Sequence, residues 1–293
     1  MKILTVCFTL FSLLMLSACG GSSSAPAPAA TADAAIMQVI DALNENNAAG
    51  PWDMLPASYQ TQLTEVKNEF ATKMDVDVWN SGAGLVKKLH TVLGDQKELL
   101  LASPLLESVP MKEDLSANYD QLVVILGEVA ESDLSSLEGL KTMDIGEYLR
   151  TTGSSIMAAT SKIEISETSK KPMGMNSMLK MPGKMLSTKA ELVSEEGDTA
   201  IVKMITEGEE PQDVPFVKVE GKWIPADLVE AFPEMVGEMR ESLSGLEIPP
   251  EAKAQVQMGM TMVSGVLDQV AAAKTQEELQ GALMGIMMMG MGM

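Results

Sequence analysis

The chain has 293 residues, with 41 acidic against 21 basic side chains and a formal charge of −20. Such a charge repels phosphate backbones and anionic headgroups, so nucleic acid is not an expected partner. Cys7 and Cys19 are the two cysteines and His90 is the one histidine, which excludes disulfides, thiolate catalysis and Cys- or His-cluster metal sites from the body of the chain.

Lys2 precedes an almost unbroken apolar run from Ile3 to Leu16. A membrane-spanning helix needs about 20 apolar residues, so this run is too short to cross and fits the core of a secretory signal. It ends in Leu16-Ser17-Ala18-Cys19, which resembles the lipobox of bacterial lipoproteins. That resemblance implies loss of residues 1–18 as a signal peptide, lipidation at Cys19, and a membrane partnership through the lipid anchor. Two or more acyl chains are what stable anchoring takes. Gly20 follows the cysteine; by the enterobacterial sorting rule, the absence of Asp there implies the outer membrane, facing the periplasm, rather than the inner membrane. Residues 19–32 then read as a disordered Gly/Ser/Pro/Ala tether with nothing to bury. Fully extended, it reaches on the order of 45 Å.

About 260 residues remain for the body. Ile36, Val39, Ile40 and Leu43 place a helix from near Asp33, stopped by Asn44 to Gly50. Gly50-Pro51-Trp52-Asp53-Met54-Leu55-Pro56 reads as a loop, with Pro56 opening the next helix. Tyr59, Leu63, Val66, Phe70 and Met74 mark that helix, and Trp79, Leu85, Val86, Leu89, Val92 and Leu93 mark another from about Asp77. His90 lies beside this second stripe and reads as a structural or surface residue. Further helical patterns run from Leu99 to Ser108, interrupted by Pro104, and from Asp114 to about Glu131. Asp144 with Glu147 is a variant capping box opening a helix toward Ile156, weakened by Gly153.

The period then switches. Lys162 to Glu167 alternates like a strand. Glu191–Ser194 and Thr199–Thr206 flank the polar turn Glu195-Glu196-Gly197-Asp198, and Val214–Glu220 and Lys222–Ile224 flank Gly221, giving two hairpins. Pro215 belongs at a strand start or an edge, and Trp223 is expected to pack buried on the sheet. Beyond it, Asp227 reads as a helix cap, Pro249-Pro250 starts another helix, and Thr275 with Glu278 is a capping box for the last. The expected fold is α+β: mostly helical, with a small curved antiparallel sheet over about residues 162–224. The body divides into an α+β domain at 33–245 and a C-terminal helical segment with a Met-rich tail at 246–293.

Gly197, Asp198, Ala200 and Val202 in one strand, with Lys218, Gly221 and Trp223 in the next hairpin, resemble the closing strands of NTF2-like lipoproteins. The opening helix, with Asn44 to Trp52 after it, is similar to their first helix as well. The resemblance covers about a quarter of the chain and implies either an elaborated NTF2-like domain with a pocket or a helical protein with a similar sheet, and no particular chemistry in either case.

The chain holds 25 Met. Met173, Met175, Met178 and Met181 crowd a Pro/Gly-containing stretch, Met258, Met260 and Met262 alternate, and the C-terminus is Met-rich. Thioethers suit Cu(I), so soft-metal handling is one alternative function. Adaptable apolar packing is the plainer reading, with no metal or cofactor expected. Ser177-Met178-Leu179-Lys180 fits Ser-x-x-Lys, but no Lys-Thr-Gly occurs and Ser132-Asp133 is followed by Leu134, so the supporting motifs are missing. No phosphate loop, metalloprotease helix or EF-hand spacing is present. An enzyme with a carboxylate-based site is the other alternative; nothing in the sequence selects its two acids. The leading expectation is a non-enzymatic, lipid-anchored envelope protein that binds another envelope protein or a small apolar ligand.

Overall fold

A computed structural model describes residues 27–104, 112–164 and 187–290, with side chains as far as residue 284. In chain order the helices are α1 (Ala32–Asn44), α2 (Gly50–Met54), α3 (Ala57–Lys73), α4 (Val76–Asp95), α5 (Lys97–Leu101), α6 (Lys112–Ala117) and α7 (Tyr119–Glu131). They continue as α8 (Leu137–Thr142), α9 (Ile145–Tyr148), a π turn (Leu149–Gly153) and α10 (Ser154–Thr160). Strands β1 (Lys189–Glu196), β2 (Thr199–Ile205), β3 (Gln212–Val219) and β4 (Lys222–Pro225) come next, before α11 (Ala226–Ser244), α12 (Pro250–Ala272) and α13 (Gln276–Gly290). The protein is thus α+β and mostly helical, with one small, open antiparallel sheet. It divides into two compact units, residues 1–72, 143–158 and 171–246 in unit 1 and residues 73–142, 159–170 and 247–293 in unit 2.

Unit 1 is built on the contact between α1 and one face of the sheet. Ala32, Ala35, Ile36, Val39 and Ile40 recur at helical spacing and are buried against Ala200, Val202, Phe216 and Trp223. Trp223 is 1% exposed and its indole N–H donates to the Ala30 carbonyl at 3.3 Å, so both the apolar body and the polar edge of the ring are satisfied. Burying one such side chain is worth roughly 1.5–3 kcal/mol.

The strands run in the order β1-β2-β3-β4, each antiparallel to the next. Two tight turns set the register. Gly197 takes φ +62 between β1 and β2, while Glu220 and Gly221 take φ 53 and 79 between β3 and β4. Two successive positive φ values are what a type I′ hairpin requires. In β1, Leu192 pairs with Val202 and Ser194 with Ile201, leaving Val193 as an extra residue; such a bulge bends the edge strand.

Pro215 lies within β3 rather than at its start. Lys218 donates its backbone N–H to Asp198 on the β2 side, and strand N–H groups alternate sides. The proline nitrogen therefore faces the β4 side, at a point where the β3–β4 pairing has already ended at Phe216–Pro225. No ladder bond is lost there.

Several local expectations are corrected. Gly50–Met54 is a short helix rather than a loop. The pattern from Asp114 to Glu131 breaks at Asn118, whose side-chain amide donates to the Asp114 carbonyl at 2.7 Å and competes with the helix. Lys162 lies in a turn, and Ile163 and Glu164 are in no strand. Both backbone groups of Glu164 are taken by the Asn118 amide, its N–H at 2.8 Å and its carbonyl at 2.7 Å; the rest of that expected strand lies outside the described residues. Asp227 is not the cap of α11, which begins at Ala226 after Pro225, so the carboxylate sits in the first turn instead.

Unit 2 has a helical core. Val92 of α4, Val266, Leu267 and Val270 of α12, and Leu279 and Ala282 of α13 form one buried cluster with Ala273. Asp75 caps α4 by accepting from Asp77 and Val78, each at 3.0 Å. Lys253, near the start of α12, reaches Asp75 and Asp77 at 2.8 Å each and ties the two helix starts together. Half of the Thr275–Glu278 box forms at α13: Thr275 Oγ1 accepts the Glu278 N–H at 3.2 Å, while the Glu278 carboxylate accepts the N–H of Lys274, one residue before the cap, at 2.7 Å.

Candidate functional site

The site that unit 1 offers is built around α2. Gly50 lets this segment approach α1: a Cβ there would lie 2.7 Å from Ala42 Cβ. Pro51 occupies the first helical turn, where its missing N–H costs nothing. Trp52 then packs over Gly146 at the start of α9, where an added Cβ would lie 2.8 Å from its indole nitrogen. The Trp52 carbonyl accepts from the Gln60 side chain at 2.8 Å. Gly50 and Trp52 thereby fix α2 against α1, α3 and α9.

Asp53 is the centre of the arrangement. Its Oδ1 pairs with Arg150 Nη2, and its backbone carbonyl accepts from Lys222 Nζ of β4. The side chains are only 5% exposed for Asp53 and 14% for Arg150. Arg150 sits in the π turn, a widened helical turn that re-aims its side chain; such turns often occur at functional positions. The sequence pointed to a single helix here, weakened by Gly153, and the wide turn ends at that glycine. Burial pushes the Asp53 carboxyl above its ordinary value of 3.8, against the pull of Arg150 and Lys222. The Nε of Arg150 is buried with no hydrogen-bond partner among the described residues.

Beside this pair opens a shallow cleft of about 460 Å³, part of it open solvent. Ala35, Gln38, Val39 and Ala42 of α1 form one wall, Asn47, Gly50, Asp53 and Met54 a second, and Lys222 and Trp223 the floor. Ala27, Pro28 and Ala29, which lead into α1, close the rim. The cleft is largely apolar, with a few convergent polar groups, which is the usual make-up of a small-molecule site.

Of the residues the sequence singles out, Trp223 alone enters this cleft. Cys19 lies outside the described residues, as do Met173, Met175, Met178 and Met181 and the Ser177–Lys180 pattern. His90 packs against Gly127 in unit 2, where a Cβ would lie 2.7 Å from its Nε2. Met258 and Met262 share an exposed face of α12, at 66% and 40% exposure. Met260 is set about 200° round the helix from each and approaches Gly82, so these three thioethers do not converge. Among the described residues, no group of three or more His, Cys, Asp or Glu gathers to hold a metal, and no helix is long and apolar enough to cross a membrane.

Sequence reasoning missed Asp53, Arg150 and Lys222. One signal was available: Arg150 and Arg240 are the only arginines in the chain, and a rigid planar donor is the usual choice for a buried carboxylate. No protein-family model matches this chain, and no curated protein or solved structure is significantly similar to it.

Proposed function

We propose that the protein is a lipid-anchored component of the bacterial cell envelope, held through Cys19 on the periplasmic face of the outer membrane, and that it works as a binding module rather than a catalyst. The observation that carries this reading is the continuity from anchor to cleft. Leu16-Ser17-Ala18-Cys19 is followed by a short Gly/Ser/Pro/Ala tether; toward its far end Ala27, Pro28 and Ala29 line the cleft, and the Ala30 carbonyl accepts the Trp223 indole N–H. Anchor and binding cleft are thus neighbours in the chain. The engagement of the ionisable groups also supports a binding role. Asp53 is committed to Arg150, and Asp75 and Asp77 to Lys253, so these acids serve the scaffold. The two hairpins and the helix laid across them carry the resemblance to NTF2-like lipoproteins, and an elaborated architecture of that kind is part of the proposal.

The test of anchoring is Cys19→Ser with cell fractionation and labelling by radioactive palmitate. The wild-type chain is expected in the membrane fraction after a carbonate wash, with label; the variant is expected to be unlabelled and washed free. A variant that stays with the membrane sinks the lipid-anchor reading.

A further inference from the structure

The ionisable groups at the cleft of unit 1 sum to one positive charge, although the chain as a whole carries a formal charge of −20. Asp53 and Lys222 are the ionisable residues among those that line it. The charge of Asp53 is matched by Arg150. Lys222 Nζ donates to the Asp53 carbonyl, and its charge also acts on the Asp53 carboxylate, so Asp53, Arg150 and Lys222 together leave one net positive charge. An ammonium has three N–H donors, and this contact uses one. Asn47 stands on the same wall; its Oδ1 accepts the Ala49 N–H at 3.1 Å, which leaves its amide nitrogen as a second donor. The surfaces between are apolar: Val39, Ala42, Met54 and the edge of Trp223.

We propose that this cleft binds a small amphiphilic monocarboxylate, with the carboxylate on Lys222 and its short acyl chain along Val39, Ala42 and Met54. A cation is disfavoured because the one acid in the lining already has its counter-ion. A phosphate dianion is disfavoured because a single ammonium faces it and the Asp53 carboxylate stands in the same wall. A neutral alcohol of the same length fills the apolar part but leaves the lysine charge unanswered. The inference rests on the binding-module reading above and names its ligand class.

Hexanoate is a suitable probe because it is soluble and joins one carboxylate to a short acyl chain. The full-length lipidated chain in lipid nanodiscs is titrated by calorimetry with hexanoate, hexanol and hexylammonium, with empty nanodiscs as the blank. Saturable binding of hexanoate at least tenfold tighter than that of hexanol is expected, since a charge-assisted hydrogen bond contributes about 1.5–3 kcal/mol. Hexylammonium is expected not to bind. Lys222→Gln should weaken hexanoate at least tenfold, and Lys222→Arg should restore most of the loss. No saturable binding of hexanoate, equal binding of hexanol, or preference for hexylammonium overturns the proposal. Should Lys222→Gln fail to fold, judged by its circular dichroism melt, the three-probe comparison on the wild-type chain and the Arg variant still decide. A chain that is anchored at Cys19 but ignores hexanoate overturns this ligand class and leaves the anchoring reading standing.

Discussion

The two units hold their principal ion pairs in opposite surroundings. In unit 1 Asp53 meets Arg150 with both side chains almost fully enclosed, whereas in unit 2 Lys253 bridges Asp75 and Asp77 at the surface. Desolvation raises the Asp53 carboxyl in spite of its partner; the hydrogen bond from Lys253 lowers the Asp75 carboxyl. The pH consequences are opposite in sign. The folded chain holds the Asp53 proton more tightly than the unfolded chain, so this group's contribution falls as pH rises from the ordinary value of 3.8 through the raised one. Asp75 contributes fully above the same 3.8 and loses its contribution as pH falls through its lowered value. Lys253 is raised from 10.5, chiefly by its bonds to Asp75 and Asp77, and its share is lost only when pH climbs through that raised value. An aspartate–cation pair is thus a costly positioning device when enclosed and a mild, screened tie when exposed.

The largest effect should come from breaking the enclosed pair. Arg150→Met leaves the buried Asp53 carboxylate without its hydrogen-bonded partner and should lower stability by about 3–5 kcal/mol in urea melts at neutral pH. Repeating the melts well below 3.8, the ordinary aspartate value, should shrink the difference, because a protonated Asp53 needs no counter-ion. An unchanged difference in acid would mean that Arg150 acts through packing, not charge.

Next in size are two glycine replacements that sharpen the contrast between the units. At Gly50 a Cβ would sit 2.7 Å from Ala42 Cβ and 3.4 Å from the Val39 carbonyl oxygen, neither of which can swing aside. Gly50→Ala should therefore cost about 1–3 kcal/mol, read as a drop in the urea midpoint. At Gly127 the obstacle is Nε2 of His90, also at 2.7 Å but at the far end of a rotatable side chain. Alanine gains about 0.5–1 kcal/mol over glycine in a helix interior, so Gly127→Ala should come out near zero once His90 turns away. A large loss at Gly127 would show that the imidazole is held in place.

The smallest effect belongs to the surface tie in unit 2. Lys253→Gln should lower stability slightly in dilute buffer, and the difference from wild type should vanish in about 1 M salt, where charges are screened within roughly 3 Å. A difference that survives high salt would mean that Lys253 contributes through its stem rather than its charge.

Much of the local structure was legible in the chain. The apolar spacing of Ile36, Val39 and Ile40 predicted the face of α1 that is buried. Gly197 and Gly221 marked both hairpin turns, Thr275 with Glu278 marked the start of α13, and Trp223 was expected on the sheet and is buried there. Each of these signals arises among residues a few positions apart, where backbone geometry, capping and periodicity act directly. The candidate site was not legible, because its parts are brought together from far apart. Asp53 lies 97 residues from Arg150 and 169 from Lys222, and no local preference of any of the three encodes that meeting. The packing of α4 with α12 and α13 in unit 2 is of the same kind. An amphipathic stripe states that a helix has a face to bury; which surface covers it is decided by how the whole chain best removes apolar area from water. The sequence by itself therefore determined the elements, their turns and their inward faces, together with the cysteine that carries the proposed anchor. Only the tertiary structure decided that a five-residue helix, a widened helical turn and a short strand would enclose Asp53 between an arginine and a lysine.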